Sequence, residues 1–297
     1  MKNSGFALFL AVGVSWGIPY YFIAIATQSF STASIVWLRV TIGALCLLPV
    51  VIRRGQLRAT LANWRGVLLF AVLEMVGPWW LITEAERSAP SSLAGLMMTS
   101  IPFIAAFITG FFLGDDAAKH PVTIAGLVIG FAGVFSIIGL DALSGTIELG
   151  PVLMLAFSAV CYAVAPIVAS RTMPHVSGLE LSAVSLAMVS VIYLPFAATT
   201  LPADIAAGPT VEGVFSVITL AVVSSALAFV LYFALIKRWG PRRSTLITYV
   251  NLLVASTLGI VLLGEPLTTG FLVGFPLVVV GSFLAGRERP EYVRRRR

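Results

Sequence analysis

The chain has 297 residues, of which 59% are hydrophobic and 11% are charged, and its mean hydropathy is +1.00. Soluble domains carry about 25% charged residues, so a water-soluble fold is excluded. The 19 Phe, 7 Tyr and 6 Trp exclude a disordered chain. Because apolar runs recur along the whole length, the composition predicts a polytopic membrane protein.

Ten stretches are long enough to cross a bilayer core, for which a helix needs about 20 apolar residues. Helices are predicted because every backbone polar group in lipid must be satisfied within its own segment. The runs are too long and too uniformly apolar for the alternating strands of a barrel. The fold class is therefore an all-α membrane protein with short connections. The predicted spans are residues 5–26, 33–52, 67–83, 91–113, 122–140, 149–169, 181–199, 214–236, 244–263 and 269–286.

The placement of basic residues predicts the orientation. All but two of the 19, Arg39 and Arg87, fall on one side of a ten-span arrangement. The positive-inside rule then puts both termini in the cytoplasm and the chain in the inner membrane. This bias, together with anionic lipid headgroups, accounts for the net charge of +6 without nucleic-acid binding. The expected partners are the lipid bilayer and a small-molecule substrate, with the protein acting as a monomer.

The two halves of the chain resemble one another. Residues 113–115 read Leu-Gly-Asp after the fourth span, and residues 263–265 read Leu-Gly-Glu after the ninth, an offset of 150 residues. Five spans per repeat is an odd number, so the second copy must be inverted in the membrane, and inverted repeats are typical of secondary transporters. The predicted domains are a first repeat at 1–143, a second, inverted repeat at 144–287 and a basic cytoplasmic tail at 288–297.

These loops, the ten spans and the Gly-Val-Ser-Trp-Gly opening at 13–17 resemble the drug/metabolite transporter superfamily, EamA-like branch. The resemblance implies a central cavity between spans 1–4 and 6–9, with spans 5 and 10 as peripheral supports. It also implies export of amino acids or similar metabolites. Family members often have a proline in both the fourth and ninth spans, but here Pro102 aligns with Asn251-Leu252, so unequal bending is expected.

Two charged residues inside spans are the sharpest candidates for a site, because charges in lipid are costly and mark functional positions. Glu74 is predicted to couple protons or bind an amine; the alternative is a structural carboxyl, protonated or paired with a neighbouring helix. Arg39 suits a substrate carboxylate, but pairing with Glu74 or an extension to the outer surface remain alternatives. The resemblance marks an arginine in this span as a family feature.

Aromatic and proline residues suggest the walls and gates of the cavity. Kinked helices free backbone groups that only protein or water can satisfy, so prolines in the first and sixth spans predict paired gate elements. Trp79 and its neighbour Trp80 have an alternative as anchors in the outer aromatic belt. The candidate gate or hinge residues are Pro19, Pro102 and Pro166.

Small and hydroxylated residues on spans 4, 8 and 9 complete the predicted lining, although such residues also promote close helix packing. Glycines in the fifth span are assigned to packing alone. The candidate substrate-binding residues are Trp16, Tyr20, Arg39, Glu74, Pro78, Trp79, Thr99, Tyr162, Ser225, Tyr232, Tyr249 and Asn251.

Enzyme chemistry finds little support in the sequence. The G-x-S-x-G match at 13–17 lies in an apolar helix, and the two histidines, His120 and His175, fall in loops away from it. No catalytic residue, metal or cofactor is predicted. The sequence favours a secondary transporter that exports small amphiphilic metabolites, amino acids including aromatic ones, by alternating access. The alternatives are an exporter of drug-like cations or nucleosides and, in another class, a membrane-embedded receptor or enzyme.

Overall fold

The computed structural model describes residues 2–55, 57–114, 120–143, 148–244 and 246–286, and the regular structure of these residues is helical. Ten helices correspond to the ten predicted spans. An additional short helix, Leu57–Ala62, follows the second membrane span. Hydropathy does not predict it because it has six residues and is not uniformly apolar. The ten are helix 1 (Lys2–Gly17 and Pro19–Ala26), helix 2 (Thr32–Arg53), helix 3 (Trp64–Ala85), helix 4 (Ser91–Met98 and Ile101–Phe112), helix 5 (Pro121–Leu143), helix 6 (Leu149–Thr172), helix 7 (Gly178–Ala206), helix 8 (Val211–Gly240), helix 9 (Ile247–Leu262) and helix 10 (Thr269–Gly286).

The helices have the length and the surface of membrane spans. Helices 1, 2, 3, 4, 6, 7 and 8 are each at least 22 residues long and apolar, helix 5 has 23 residues, and helices 9 and 10 are shorter apolar helices of 16 and 18 residues. Large apolar side chains point outwards, as shown by Phe111, Val191 and Val261, which are 76%, 71% and 70% exposed. Such a surface is costly in water and is the one expected to face lipid tails. The predicted all-α membrane fold is confirmed.

The helix contacts are those of a two-fold repeat. Helix 2 packs against helix 7, helix 4 against helix 9 and helix 5 against helix 10. Helix 1 packs against helices 8 and 9, and helix 6 correspondingly packs against helices 3 and 4. This pattern is unchanged when every helix is exchanged with its equivalent five places along the chain. Because each repeat has an odd number of spans, the equivalent helices run in opposite directions.

Helices 5 and 10 pack chiefly on each other at the edge of the bundle. A Cβ atom added to Gly281 would touch the backbone of Gly126 and Gly130, and one added to Gly133 would lie 2.8 Å from the amide nitrogen of Val278. Only glycine allows two backbones to approach so closely. The glycines of helix 5 therefore serve packing, as the sequence predicts.

Two helices are divided near prolines, which cannot donate a backbone hydrogen bond. Helix 1 is divided ahead of Pro19, and helix 4 is divided at residues 99–100, just before Pro102. Helix 6 continues through Pro166 and helix 9 through Asn251. As expected, helix 4 is divided and helix 9 is continuous. Helices 1 and 6 were predicted to carry paired gates, but only helix 1 is divided.

Helices 3 and 8 contain π-helical segments, Val72–Val76 and Leu220–Leu227. Pro78 has no amide hydrogen, so the bond that it would donate four residues back is missing. The amide of the preceding residue, Gly77, donates to the carbonyl of Val72, five residues back, as in a π-helix. With the 150-residue offset, the first segment falls inside the second. Short π-helical segments in α-helices are frequent at functional sites, so the pair directs attention to the centre of the bundle.

Contacts between helix ends distinguish the two ends of the bundle, which we call proximal and distal. At the proximal end, a Cβ atom on Gly5 at the start of helix 1 would touch Trp239 at the end of helix 8. At the distal end, the amide of Ser31 donates a hydrogen bond to Asp204 Oδ2 over 3.0 Å, so the start of helix 2 meets the end of helix 7. Both contacts agree with alternating helix directions.

Candidate functional site

Arg39 lies at the centre of a cluster of predicted site residues. Its side chain is 8% exposed, its Nε donates to Ser225 Oγ over 2.9 Å, and its guanidinium carbon lies 3.8 Å from the centroid of the Trp79 ring. Within the described part of the chain, no carboxylate lies within 4.0 Å of it. Arg39 therefore neither pairs with Glu74 nor extends to the surface, and its positive charge is held by a hydroxyl and an aromatic face.

The π-helical segment of helix 8 places the partner of Arg39. Ser225 is fully buried, and its hydroxyl donates to the carbonyl of Leu220, five residues back, over 2.9 Å. Because its hydrogen is used in this way, the oxygen is left to accept from the guanidinium. The neighbouring carbonyl of Ser224 accepts a hydrogen bond of 3.2 Å from the indole nitrogen of Trp16. The π-helical segment of helix 8 thus binds both the guanidinium of Arg39 and the indole of Trp16 through hydrogen bonds.

Aromatic side chains surround this centre. The Trp16 ring lies 4.7 Å from the ring of Tyr232 and 5.7 Å from that of Phe229, measured between centroids. Tyr162 on helix 6 lies beside Trp79 and interacts with both Arg39 and Tyr20. Helices 1, 3, 6 and 8 therefore each contribute at least one aromatic wall to the space around the guanidinium.

Glu74 lies in the π-helical segment of helix 3 and, like Arg39, interacts with Tyr162. Its Oε2 atom is buried and has no hydrogen-bond partner among the described residues. Its electrostatic neighbours are Tyr162, Tyr232 and Cys161. The carboxylate and the guanidinium thus interact with the same tyrosine but not with each other.

Three side chains of the cluster are enclosed by protein without being completely buried. Tyr20, Glu74 and Tyr162 are surrounded by protein, yet each keeps some accessible surface. Side chains that combine these properties line an internal space rather than a packed core or a lipid-facing surface. The space lies between helices 1, 2, 3, 6 and 8, which is where the predicted central cavity belongs.

The remaining predicted residues lie further from the guanidinium. Pro78 is buried directly after the π-helical turn, and the Thr99 hydroxyl donates to the carbonyl of Leu96 at the division of helix 4. Tyr249 lies beside Ser282 of helix 10. The backbone of Asn251 packs against Gly17. Trp80, the alternative belt residue, stacks on Tyr193 with the ring centroids 5.9 Å apart, whereas Trp79 is buried beneath Arg39.

Two further carboxylates interact at the distal end, and the sequence assigned neither of them a role. Glu265 accepts hydrogen bonds from the backbone amides of Ser91 and Ser92, over 2.6 and 3.0 Å, and so caps helix 4 at the positive end of its dipole. Glu86, just beyond helix 3, is 6% exposed, and neither carboxyl oxygen has a partner among the described residues. Burial raises the pKa of Glu86 well above its usual range, Glu265 raises it further, and Arg39 opposes this.

The lone basic residue of the distal loops organises that end. Arg87 donates to the carbonyl of Phe30 over 2.7 Å and to the Thr32 hydroxyl over 3.0 Å, and its Nε lies 3.4 Å from Glu84. A cavity of about 510 Å³ opens here between the ends of helices 1, 2, 3 and 7. We call this cavity the vestibule. Its lining includes Trp80 and Glu84 of helix 3 and Asp204 of helix 7, and Trp80 is the sequence neighbour of Trp79, which lies against Arg39.

A second cavity, of about 550 Å³, lies at the proximal end between the start of helix 3 and the end of helix 6. Its lining includes the half-exposed Trp64 and Arg65, and the nearby Asn63 amide lies 3.1 Å from the ring nitrogen of His175. The basic tail at 288–297 and Asp115 of the first Leu-Gly-Asp loop lie outside the described residues. The described proximal surface is consistent with the predicted concentration of basic residues there.

Comparisons with known proteins agree with this architecture. The model of the EamA-like transporter family matches residues 3–139 and 149–287. A relative described as an uncharacterized inner membrane transporter, YedA of Escherichia coli (strain K12), is 27% identical over 265 residues, which cover 89% of this chain and 84% of the relative. The uncharacterized transporter YvbV of Bacillus subtilis (strain 168) is 25% identical over 279 residues, 94% of this chain and 90% of the relative.

A solved crystal structure covers 95% of this chain and 97% of its own chain, with a TM-score of 0.63 and 19% identity, which shows a shared fold. The protein is thus a multi-pass inner membrane transporter and not an enzyme. Two matched repeats account for nearly all of its helices, and the chain belongs to the EamA-like transporter family of the drug/metabolite transporter superfamily.

Proposed function

We propose that the protein is a secondary transporter that exports amino acids, including aromatic ones, by alternating access. The observation that carries this proposal is the pair of separated charges at the centre of the bundle. Among the described residues, Arg39 has no carboxylate partner and Glu74 has a buried oxygen without a hydrogen-bond partner, and both side chains interact with Tyr162. A zwitterion offers a carboxylate to the first and an ammonium group to the second.

The energetics favour a ligand that compensates both charges. A buried ion without its counter-ion is strongly unfavourable, whereas a hydrogen-bonded partner recovers much of the cost. The planar guanidinium can bind a carboxylate through two parallel hydrogen bonds. The rings of Trp16, Tyr20 and Tyr232 supply apolar walls for a side chain. An aromatic or aliphatic amino acid therefore matches both the charges and the surface of the space.

Exporters of drug-like cations or nucleosides form the second candidate class, supported by the aromatic walls and by Glu74. A cation would use the carboxylate and leave Arg39 without a counter-ion. Because the guanidinium is fully inside the bundle and next to Tyr20 and Tyr162, its charge would repel such a substrate. The presence of Arg39 is the reason for preferring the zwitterion.

Alternating access would use the two-fold repeat and the divided helices. Exchange of conformation between the inverted repeats opens the same central site to one side and then to the other. The divisions before Pro19 and Pro102 lie in helices that contact the equivalent half of the molecule. Pro166, the third proposed hinge, lies within the continuous helix 6. The proximal end, with most basic residues, would face the cytoplasm, and one chain containing the whole cluster would act as a monomer.

Efflux from proteoliposomes tests the proposal. Vesicles containing the purified protein are loaded with labelled phenylalanine, threonine or a nucleoside, and the initial rate of release is measured. We expect saturable amino-acid efflux that phenylalanine inhibits and that phenylalanine methyl ester, which lacks the carboxylate, does not. Absence of flux for every amino acid, or equal inhibition by the ester, would overturn the proposal in favour of cations or nucleosides.

A further inference from the structure

A second carboxyl group, distinct from the central pair, stands at the distal end of the helix bundle. Glu86 is buried, both of its oxygens lack a partner among the described residues, and it follows the last turn of helix 3. Carboxylates are disfavoured at a helix C-terminus, where the carbonyl groups present negative partial charge. Among the residues that the structure describes, only Arg39 favours an ionised Glu86.

The neighbouring Glu265 is in the opposite situation. Its two oxygens accept hydrogen bonds from the amides of Ser91 and Ser92, so its ionised form is stabilised at the positive end of helix 4. This contact joins the loop after helix 9 to the start of helix 4. A Cβ atom on Gly259 would lie 2.8 Å from Ser91 Oγ, so the two helices pack tightly at this point. We refer to the contact of Glu265 with residues 91–92 as the distal latch.

We infer that Glu86 is a proton-binding site whose protonation holds the distal latch closed. In the closed state, Glu265 and a protonated Glu86 can lie together, whereas two neighbouring carboxylates, one of them buried, repel each other. Loss of the proton therefore favours separation of helix 4 from Glu265 and entry of water to Glu86. The step is an acid–base equilibrium in which the carboxyl O–H bond breaks and the proton passes to water.

The groups that surround Glu86 set the direction of the pH response. Helix 1 contributes Tyr20, helix 2 contributes Arg39, and the loop after helix 9 contributes Glu265; on its own element, Glu84 and Arg87 are engaged with each other at the vestibule. Only Arg39 favours the ionised form. A substrate carboxylate bound to Arg39 would weaken that support, so this inference links the latch to the substrate site and rests there on the proposed function.

Cysteine labelling of the purified full-length protein tests the inference without substrate. Cys46→Ala and Cys161→Ala remove the native thiols, and Ser256→Cys, a near-isosteric change at a buried site of helix 9, reports on opening of the distal end. One proton released on opening predicts that the rate of maleimide labelling, corrected for thiol ionisation, rises by up to about tenfold per pH unit. No dependence on pH would overturn the inference.

Two variants separate Glu86 from other titrating groups. Glu86→Gln imitates the protonated form, and we expect slow labelling that no longer depends on pH. Glu84→Gln, the matched change two residues away on the exposed side of the same helix end, should keep the dependence of the parent protein. A Glu86→Gln variant that keeps it would contradict the inference.

A spectroscopic measurement covers the case in which Glu86→Gln does not fold. The infrared band of a protonated carboxyl group in the parent protein should disappear as the pH rises, in parallel with faster labelling. Glu86→Asp, which keeps the acid, should retain both changes at a different midpoint. A carboxyl band that is absent at every pH would overturn the inference. Because neither readout needs a substrate, failure of amino-acid efflux would reject the proposed function and leave the latch unaffected.

Discussion

Helices 3 and 8 occupy equivalent places in the two repeats, and they share a backbone but not a charge pattern. Each contains a π-helical segment at the same level of the repeat. The 150-residue offset aligns Glu74 with Ser224 and Glu86 with Ile236, so the second repeat has a hydroxyl or an apolar side chain where the first has a carboxylate. Backbone geometry is thus duplicated, whereas these two carboxylates are present in the first repeat only.

This difference separates two requirements of a transporter. Exchange between states needs both repeats to adopt equivalent shapes, and the duplicated backbone provides them. Response to a ligand or a proton needs the two states to differ in energy, and charges present in only one repeat provide that difference. Substitutions that remove those charges should therefore change the response to ligand or proton without changing the shared backbone geometry.

The largest effect is expected from Arg39→Gln, because Val189 stands at the equivalent place of the second repeat and offers no substitute. Loss of a buried charge that binds the substrate carboxylate should lower kcat/KM for amino-acid efflux about a hundredfold, equivalent to roughly 3 kcal/mol. Arg53→Gln, an exposed arginine at the end of the same helix, serves as the control. Efflux near the parent rate in Arg39→Gln would remove the guanidinium from the site.

Glu74→Gln makes the π-helical segment of helix 3 neutral, like that of helix 8. If Glu74 couples protons, the variant should lose accumulation driven by a pH gradient while exchange of labelled amino acid remains measurable. The control is Glu212→Gln, an exposed carboxylate on helix 8. An unchanged pH dependence of transport in Glu74→Gln would leave the carboxylate with a binding or structural role only.

Ser225→Ala tests the contribution of helix 8 to the same site. The change deletes the oxygen that accepts from Arg39 over 2.9 Å, and a hydrogen bond to a charged group contributes about 1.5–3 kcal/mol. We expect efflux to fall about tenfold through misorientation of the guanidinium. Ser216→Ala, a buried serine of helix 8 that bonds within its own helix, should remain near the parent rate; equal losses in both would indicate general destabilisation.

The smallest effect concerns stability. Because the pKa of Glu86 is raised in the folded protein, the unfolded chain releases this proton first and stability falls as the pH rises above about 4.3. Glu86→Gln should remove that loss, raising Tm at pH 8 by about 2–4 °C for each kcal/mol recovered and leaving Tm unchanged near pH 4. Thermal unfolding in detergent measures it; a lower Tm at pH 8 would contradict the expected sign.

The fold could be predicted largely from the sequence. The bilayer imposes a length and a polarity on every span, so residues 5–26 or 269–286 are recognisable without knowledge of their neighbours. The parity of five spans dictated the inversion of the repeats. The ends of helices were predicted less well: helix 7 extends to Ala206, beyond the predicted 199, because a helix continues into the interface after its apolar run has ended.

The candidate site could be predicted in part. Arg39 and Glu74 were identifiable because charges are costly inside a span, and Trp16 and Tyr162 because aromatic residues accompany them. The neighbour of Tyr249 could not be predicted, since a polar face of a helix does not show which helix it meets, and here Tyr249 lies beside Ser282 of helix 10. Glu86 carried no signal, because a carboxylate at the end of a span is normally hydrated.

By itself, the sequence determined which segments enter the membrane, how the repeats are related and which charges must lie inside, since each follows from local hydropathy and the cost of charge in lipid. Only the tertiary structure decided what those charges meet. Arg39 reaches Ser225 because of a π-helical turn in a distant helix, and the buried Glu86 interacts with Glu265 from the loop that follows helix 9. Contacts between residues far apart in the chain depend on packing, which no local pattern encodes.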